Sequence, residues 1–424
     1  MHETIPFGPT MTIERYQLDN GLVVLALVDD SAPVISYQTW FRVGSRHERE
    51  GKTGIAHLFE HLMFNETENL PCGEFDRTLE QAGVDNNAAT FLDWTYYVEN
   101  LPKEALELVV KLEADRMQNL VLRSEQLESE REVVSNERRQ TVDDDVDGAV
   151  TEQLYIAAFT THGYRWPTIG SMADIAGLSL EDCQHFYRTY YAPNNATIVA
   201  VGDLDVTALL DLISQHYGRM EASVLPVEDA WPEPPQIQER RQRVRQPCAN
   251  SRLAIGYKSP ALGDFDHAPL VLLNEILFGG RSSRAYRTLV QDKELCSEAR
   301  GYVGCFRDPA LYDLYLTTRP GIEVPAALDE LDDVLARACR DAVSEEELER
   351  AKARIELATL QSLPSSSAKA EQIGFFDAVL GQPSALFDKL QAYRRCERSD
   401  LLRVARRYLC DSARTVIEVE PEAC

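Results

Sequence analysis

The sequence predicts an α+β protein made of two αβ domains of similar plan, each a mixed sheet flanked by helices. Three observations point there. The chain has 424 residues, too many for one simple core and suited to two domains of about 200 residues each. Hydrophobic residues make up 44% of it, ample for globular packing and contrary to disorder. A proline-rich stretch separates two halves that repeat the order strand, helix, strand, helix. The division expected is a first domain at 1–222, a linker at 223–246 and a second domain at 247–424.

Residues 22–29 and 34–43 read as strands because they are rich in β-branched and aromatic residues. A polar, glycine-bearing loop follows, and a helix starts near Thr53, the expected N-cap. Residues 74–82 read as helix and 87–99 as one strand. Apolar spacing marks helices at 103–118 and 124–140. A strand at 196–204 leads into a helix at 206–217. Pro226, Pro232, Pro234, Pro235 and Pro247 then interrupt both kinds of structure. Beyond them the plan resumes: a strand at 251–257, a helix at 266–278, strands at 299–306 and 311–319, and helices at 323–341 and 344–361.

A net charge of −26 disfavours nucleic acid and anionic membranes as partners and mildly favours basic ligands. No apolar run reaches the ~18 residues of a membrane span. The first residues, MHETIPFGPT, have neither the basic nor the apolar region of a secretory signal, so a cytoplasmic location is expected. Nine cysteines, an odd number without CxxC pairs, argue for a reducing compartment and against a disulfide framework.

The chemistry concentrates at His57-Leu58-Phe59-Glu60-His61. On a helix, His57 and His61 stand one above the other, and Glu60 reaches the same patch. Neutral imidazoles are good zinc ligands, a zinc with three protein ligands keeps a position for water, and an adjacent carboxylate can take that water's proton. The order His-x-x-Glu-His is a metallopeptidase signature. Ile55, Ala56, Leu58, Leu62, Met63 and Phe64 make the surroundings apolar, and ionisable groups buried there need a partner or a metal. The other histidines, at 2, 47, 162, 185, 216 and 267, have no ligand spacing and read as structural or exposed.

A catalytic zinc needs a third protein ligand. The helix from Ser124 offers Glu125, Glu128, Glu130, Glu132 and Glu137. Most would lie on a solvated face. Glu130 and Glu137 are two turns apart and share one face beside Val133 and Val134. Spacing leaves open which of them binds metal and which orients a ligand by hydrogen bonding to it.

The stretch GKTGIAHLFEHLMFNET, with WFRVGSRHE before it, resembles the pitrilysin–insulinase family of zinc peptidases in its mitochondrial-processing-peptidase-like branch. The resemblance continues through GEFDRTLEQAGVDNNAATFLDWTYYVENLP, LEADRMQNL, EREVVSNER, YRWPTIGSMADI and FYRTYYAPNNATIVAVGD, and more loosely through FGGRSSRAYRTL. It implies two αβ domains of like topology, of the processing-peptidase type, and an enclosed chamber that admits unfolded peptides. It implies one zinc per chain, with His57, His61 and Glu137 as ligands, and Glu60 as the base acting on water at the zinc. Glu130 would hydrogen-bond a ligand from outside the coordination sphere. Asn87 and Ala88 fall where the family aligns substrate along an edge strand, whose free N–H and C=O groups accept an extended peptide.

One departure bears on partners. Where the family places an Arg and a Tyr that stabilise the developing oxyanion, this chain has Val290 and Ser297. The expectation is a heterodimer with a family member that supplies the Arg/Tyr pair and lacks the zinc motif, a homodimer being less favoured. The reading is thus a zinc-dependent endopeptidase subunit. The rival is a non-catalytic binding or structural subunit of the same descent; the intact His57, Glu60, His61 and Glu137 argue against it.

Overall fold

A computed structural model describes residues 1–227 and 232–422. Residues 228–231 of the expected linker lie outside the described residues. The first sheet contains β1 (His2–Phe7), β2 (Met11–Gln17), β3 (Val23–Val28), β4 (Val34–Phe41), β5 (Asp85–Thr90), β6 (Thr95–Pro102) and β7 (Ala196–Gly202), in the order β1-β2-β3-β7-β4-β6-β5. The second contains β8 (Arg240–Gln246), β9 (Arg252–Lys258), β10 (Cys296–Val303), β11 (Leu311–Thr318) and β12 (Arg414–Pro421), in the order β10-β11-β9-β12-β8. Both sheets are mixed, as expected. β3 runs parallel to β7 and β8 parallel to β12, while the other pairs are antiparallel.

The helices are α1 (Ile55–Leu62), α2 (Glu74–Gln81), α3 (Leu106–Asn119), α4 (Ser124–Arg138), α5 (Val146–Ala158), α6 (Met172–Gly177), α7 (Leu180–Tyr190) and α8 (Val206–Tyr217), followed by α9 (His267–Phe278), α10 (Val324–Arg340), α11 (Glu345–Gln361), α12 (Ser366–Leu380), α13 (Ala385–Arg395) and α14 (Arg398–Tyr408).

The chain forms two compact units, but they do not follow the sequence division at 222 and 247. Unit 1 comprises Met1–Arg138, Trp166–Ala230 (described as far as 227) and Gln361–Phe387. Unit 2 comprises Arg139–Arg165, Trp231–Leu360 (described from 232) and Asp388–Cys424 (described as far as 422). The cause is the need to cover both faces of each sheet. In unit 1 the helix α12, from late in the chain, packs on β4 and β7. Its Gly374 sits directly on Trp40, where an added Cβ would lie 2.1 Å from the indole Nε1. In unit 2 the early helix α5 packs on β9 and β12.

Two further expectations change. The predicted single strand at 87–99 is a hairpin, β5 and β6, closed by a turn at Phe91–Trp94 in which the Phe91 N–H donates to the Trp94 carbonyl at 2.8 Å. Part of the predicted linker, 240–246, is the edge strand β8. Its Arg241 and Arg243 both donate to the buried Glu418 on β12, at 2.7 Å each, which draws a charged segment into the sheet. All eight cysteines among the described residues are free thiols.

In unit 1 one buried charge cluster braces the layer that carries the motif helix. The Arg116 guanidinium on α3 lies 3.0 Å from Glu99 and 2.6 Å from Glu113. It also stands over the rings of Tyr97 (4.3 Å), Phe75 (4.8 Å) and Phe64 (5.4 Å). Burial, and next the charge of Glu113, push the Glu99 carboxyl well up against the pull of Arg116. Such a cluster stabilises little by itself, yet breaking it leaves a buried charge without its partner. Arg116→Met is therefore expected to destabilise unit 1 by about 3–5 kcal/mol in urea unfolding. Adding Glu99→Gln and Glu113→Gln should restore a large part of that loss.

Candidate metal centre

The motif helix is held at its N-terminus by backbone geometry. Thr53 is not its N-cap; the Thr53 hydroxyl donates instead to Asp174 at 2.5 Å. The cap is Gly54, in the left-handed region at φ 85°. An added Cβ there would lie 2.6 Å from the Ile169 carbonyl oxygen, so the position favours glycine on two counts. The orphan N–H groups of the first turn are met by Glu48, which accepts from Gly54 N at 2.8 Å and Ala56 N at 2.9 Å. Burial pushes the Glu48 carboxyl up to about 8, against the pull of those two N–H groups. Phe59, fully buried, anchors the opposite side of the helix among Phe186, Tyr187 and Tyr191.

The motif side chains then meet α4. The Glu137 carboxylate lies across both imidazoles: its Oε1 is 3.6 Å from His57 Nε2 and its Oε2 is 3.5 Å from His61 Nε2. Donor atoms of His57, His61 and Glu137 all fall within 4.8 Å of one another, close enough to share one ion. This is the one such cluster among the described residues. Two nitrogens and one carboxylate oxygen are the donor types of a three-ligand zinc site. Glu130, one side chain outward, lies 3.5 Å from His61 Nδ1 and accepts from Asn65 Nδ2 at 3.2 Å. His57 Nδ1 is buried without a hydrogen-bond partner.

Charge at the cluster follows from these contacts. Burial drives the His57 ring below the usual imidazole range, which favours its neutral form. Burial also pulls His61 down, but its contacts with Glu130 and Glu137 outweigh that and raise it to about 9. The His61 contact holds Glu137 below the usual carboxylate range. Glu60 is raised by burial, against a hydrogen bond donated by the Thr90 hydroxyl. Asn87 and Ala88 lie on β5, the outermost strand of the first sheet, with the Ala88 N–H taken by Asn87 Oδ1 at 2.9 Å.

The structure thus brings His57, His61 and Glu137 together and puts Glu130 behind His61. Thr90, Asn65 and Glu48 escaped the sequence reading. They contact residues of the site across separations of 30 residues (Thr90 to Glu60), 65 residues (Asn65 to Glu130) and 6–8 residues (Glu48 to the start of α1). Only Glu48, just before the helix, left a local sign, as an acidic residue upstream of an orphan helix end. Val290 is buried in a π-helical segment, Tyr286–Asp292. Ser297 sits at a β-bulge and donates to the Thr317 carbonyl at 3.3 Å.

A two-sheet αβ fold with a His-His-Glu cluster shared between α1 and α4 has the donor set of a metallopeptidase, and comparison with known proteins narrows the class. Residues 23–171 match the family model described as insulinase (peptidase family M16), and residues 177–355 match the peptidase M16 inactive domain. The zinc protease PqqE of Helicobacter pylori is 31% identical over 415 residues, spanning 96% of this chain and 93% of the relative. The mitochondrial-processing peptidase subunit beta of Lentinula edodes is 26% identical over 432 residues, spanning 96% and 89%. The crystal structure of a protease from Helicobacter pylori superposes with a TM-score of 0.92 at 31% identity, covering 96% of this chain and 99% of that one. The chain belongs to the insulinase family, peptidase family M16.

Because Gly54 is fixed by both its φ and the Ile169 carbonyl, Gly54→Ala should cost about 1–3 kcal/mol of stability. Thermal unfolding checks this. A Gly51→Ala control, also at positive φ but with nothing within 4 Å of its Cβ position, should lose less.

Proposed function

We propose that this chain is a zinc-dependent endopeptidase subunit acting on extended peptides. One observation carries the reading: the Glu137 carboxylate faces the two imidazoles of α1 while Glu60 stands on the same helix with its proton affinity raised by burial. His57, His61 and Glu137 would hold the ion, and Glu130 would fix the ring of His61. Zinc, when bound, supplies Lewis acidity toward a water molecule and toward a carbonyl oxygen. Glu60 takes a proton at its carboxylate and later delivers it to the departing amine. Thr90 keeps one oxygen of Glu60 fixed, so the other is the one that moves the proton. The edge of β5 at Asn87 and Ala88 aligns the peptide as an added strand once the Asn87 side chain leaves the Ala88 N–H. The names of the relatives as zinc proteases support this reading.

Metal analysis should give one zinc per chain, and Glu60→Gln should retain it while lowering peptide cleavage by about 10²–10⁴-fold. Glu130→Gln should weaken zinc binding by about 10–100-fold, measured by competition with a chelator. Loss of zinc from Glu60→Gln, or cleavage that survives it, would count against the assignment.

The Arg/Tyr positions argue for a partner. Val290 has no polar group, and the Ser297 hydroxyl is already engaged within its own sheet. Oxyanion stabilisation by a missing donor is worth several kcal/mol. The purified chain should therefore bind zinc yet cleave an unstructured peptide slowly, and the rate should rise at least about tenfold on adding a family member that carries the Arg and Tyr. Full turnover by a chain shown to be monomeric or homodimeric by light scattering would overturn this dependence.

A further inference from the structure

The turn Phe91–Trp94, at the end of the edge strand, is unusual for what it exposes. Turns favour Gly, Pro, Asn, Asp and Ser. This one carries Phe-Leu-Asp-Trp, and Phe91 is 49% exposed. Its ring lies flat on Trp94, at 5.2 Å between centroids and 13° between planes. Trp94 in turn packs against Trp40 (5.0 Å), Tyr96 (5.5 Å) and Phe375 (6.5 Å). Phe91 is therefore the outer face of an aromatic stack rooted in the core of unit 1.

The turn is also held rigidly. Ser45 N donates to the Phe91 carbonyl at 3.1 Å and Arg46 N to the Leu92 carbonyl at 3.0 Å. Arg46 lies 3.4 Å from Asp93, both side chains largely buried. Gly44 makes this approach possible, since a Cβ there would lie 2.2 Å from the Phe91 carbonyl oxygen. The backbone bonds and the ion pair fix a large apolar ring at the surface. Burying it against a ligand is favourable, and its ordering entropy is already met by the fold.

Position gives the occupant. Phe91 directly follows Thr90, whose hydroxyl holds Glu60, and it ends the strand whose outer edge is open in the sheet. A peptide added to that edge advances about 3.3 Å per residue. Thr90 points to the Glu60 face of the sheet and Phe91 to the other, beside Trp94 and Trp40; the side chains of an extended peptide alternate between those faces, so the neighbours of the residue facing Glu60 point to the side of the Phe91 ring. We propose that Phe91, backed by Trp94, forms a specificity subsite that takes an aromatic or large apolar side chain of the peptide substrate. The inference rests on the peptidase reading above, through the assignment of β5 as the substrate edge. The aromatic contact adds to the apolar area buried, and the two together make selectivity of about tenfold the expectation.

The test uses the full chain as Glu60→Gln, so that binding is measured without turnover. The probes are fluorescein-labelled twelve-residue peptides of Gly, Ser and Ala, with a single Phe walked through each position, followed by anisotropy. Phe in one register should tighten binding about tenfold over the peptide without it. Phe91→Ser should bring that ratio close to one, and Phe91→Trp should keep it. A Phe gain that survives Phe91→Ser, or no gain at any position, would overturn the subsite. Parallel cleavage by the unsubstituted chain separates the two readings. Cleavage without Phe preference keeps the peptidase and removes the subsite. Register-dependent binding with no cleavage, even after a family member carrying the Arg and Tyr is added, keeps the subsite and removes the peptidase.

Discussion

The placement of one carboxylate between two imidazoles governs this half of the molecule. Glu137 meets His57 and His61 at 3.6 and 3.5 Å only because α1 and α4 pack side by side at a fixed register. Without a rigid frame two imidazoles and a carboxylate would be solvated separately. Here Glu48 and the left-handed Gly54 set where α1 begins, and Phe59 among three aromatic rings sets how it is rotated. Val134, buried one turn before Glu137, ties α4 to the same interior.

That frame is costly in charge. Glu60, His57 and His61 all sit in a largely apolar layer, with Glu99, Glu113 and Arg116 buried in the same unit. Each is tolerable because a neighbour answers it: Thr90 for Glu60, Glu130 and Glu137 for His61, Arg116 for the two carboxylates. The polar atom left over is informative. His57 Nδ1 has no hydrogen-bond partner, so this ring is oriented by packing, whereas His61 is oriented by Glu130. The two imidazoles of one motif are therefore positioned by different means.

The hairpin that supplies Thr90 joins the proposed chemistry to the proposed subsite. Its first strand is the open edge, its last residue steadies Glu60, and its turn presents Phe91. A misplacement of the turn would move all three together. Its anchoring to Ser45 and Arg46 explains why a turn of such apolar composition is stable where it stands.

What could be read from residues alone was whatever the chain writes locally. The spacing of His57, Glu60 and His61 already places them on one helical face, because the 3.6-residue period depends on nothing distant. The recurring order of strands and helices in two halves was legible too, and Glu137 was reached through family resemblance, while spacing left it level with Glu130. The folded chain decided the rest. The hairpin at 85–102 read as one strand because its turn, with Asp93 between apolar residues, is weakly marked in the sequence and is stabilised from elsewhere. The segments 139–165 and 361–387 changed units because an amphipathic helix records that it has an apolar face and not which sheet that face covers. Thr90 and Asn65 were invisible for the same reason: a hydrogen bond between residues 30 or 65 positions apart leaves no periodicity in the sequence.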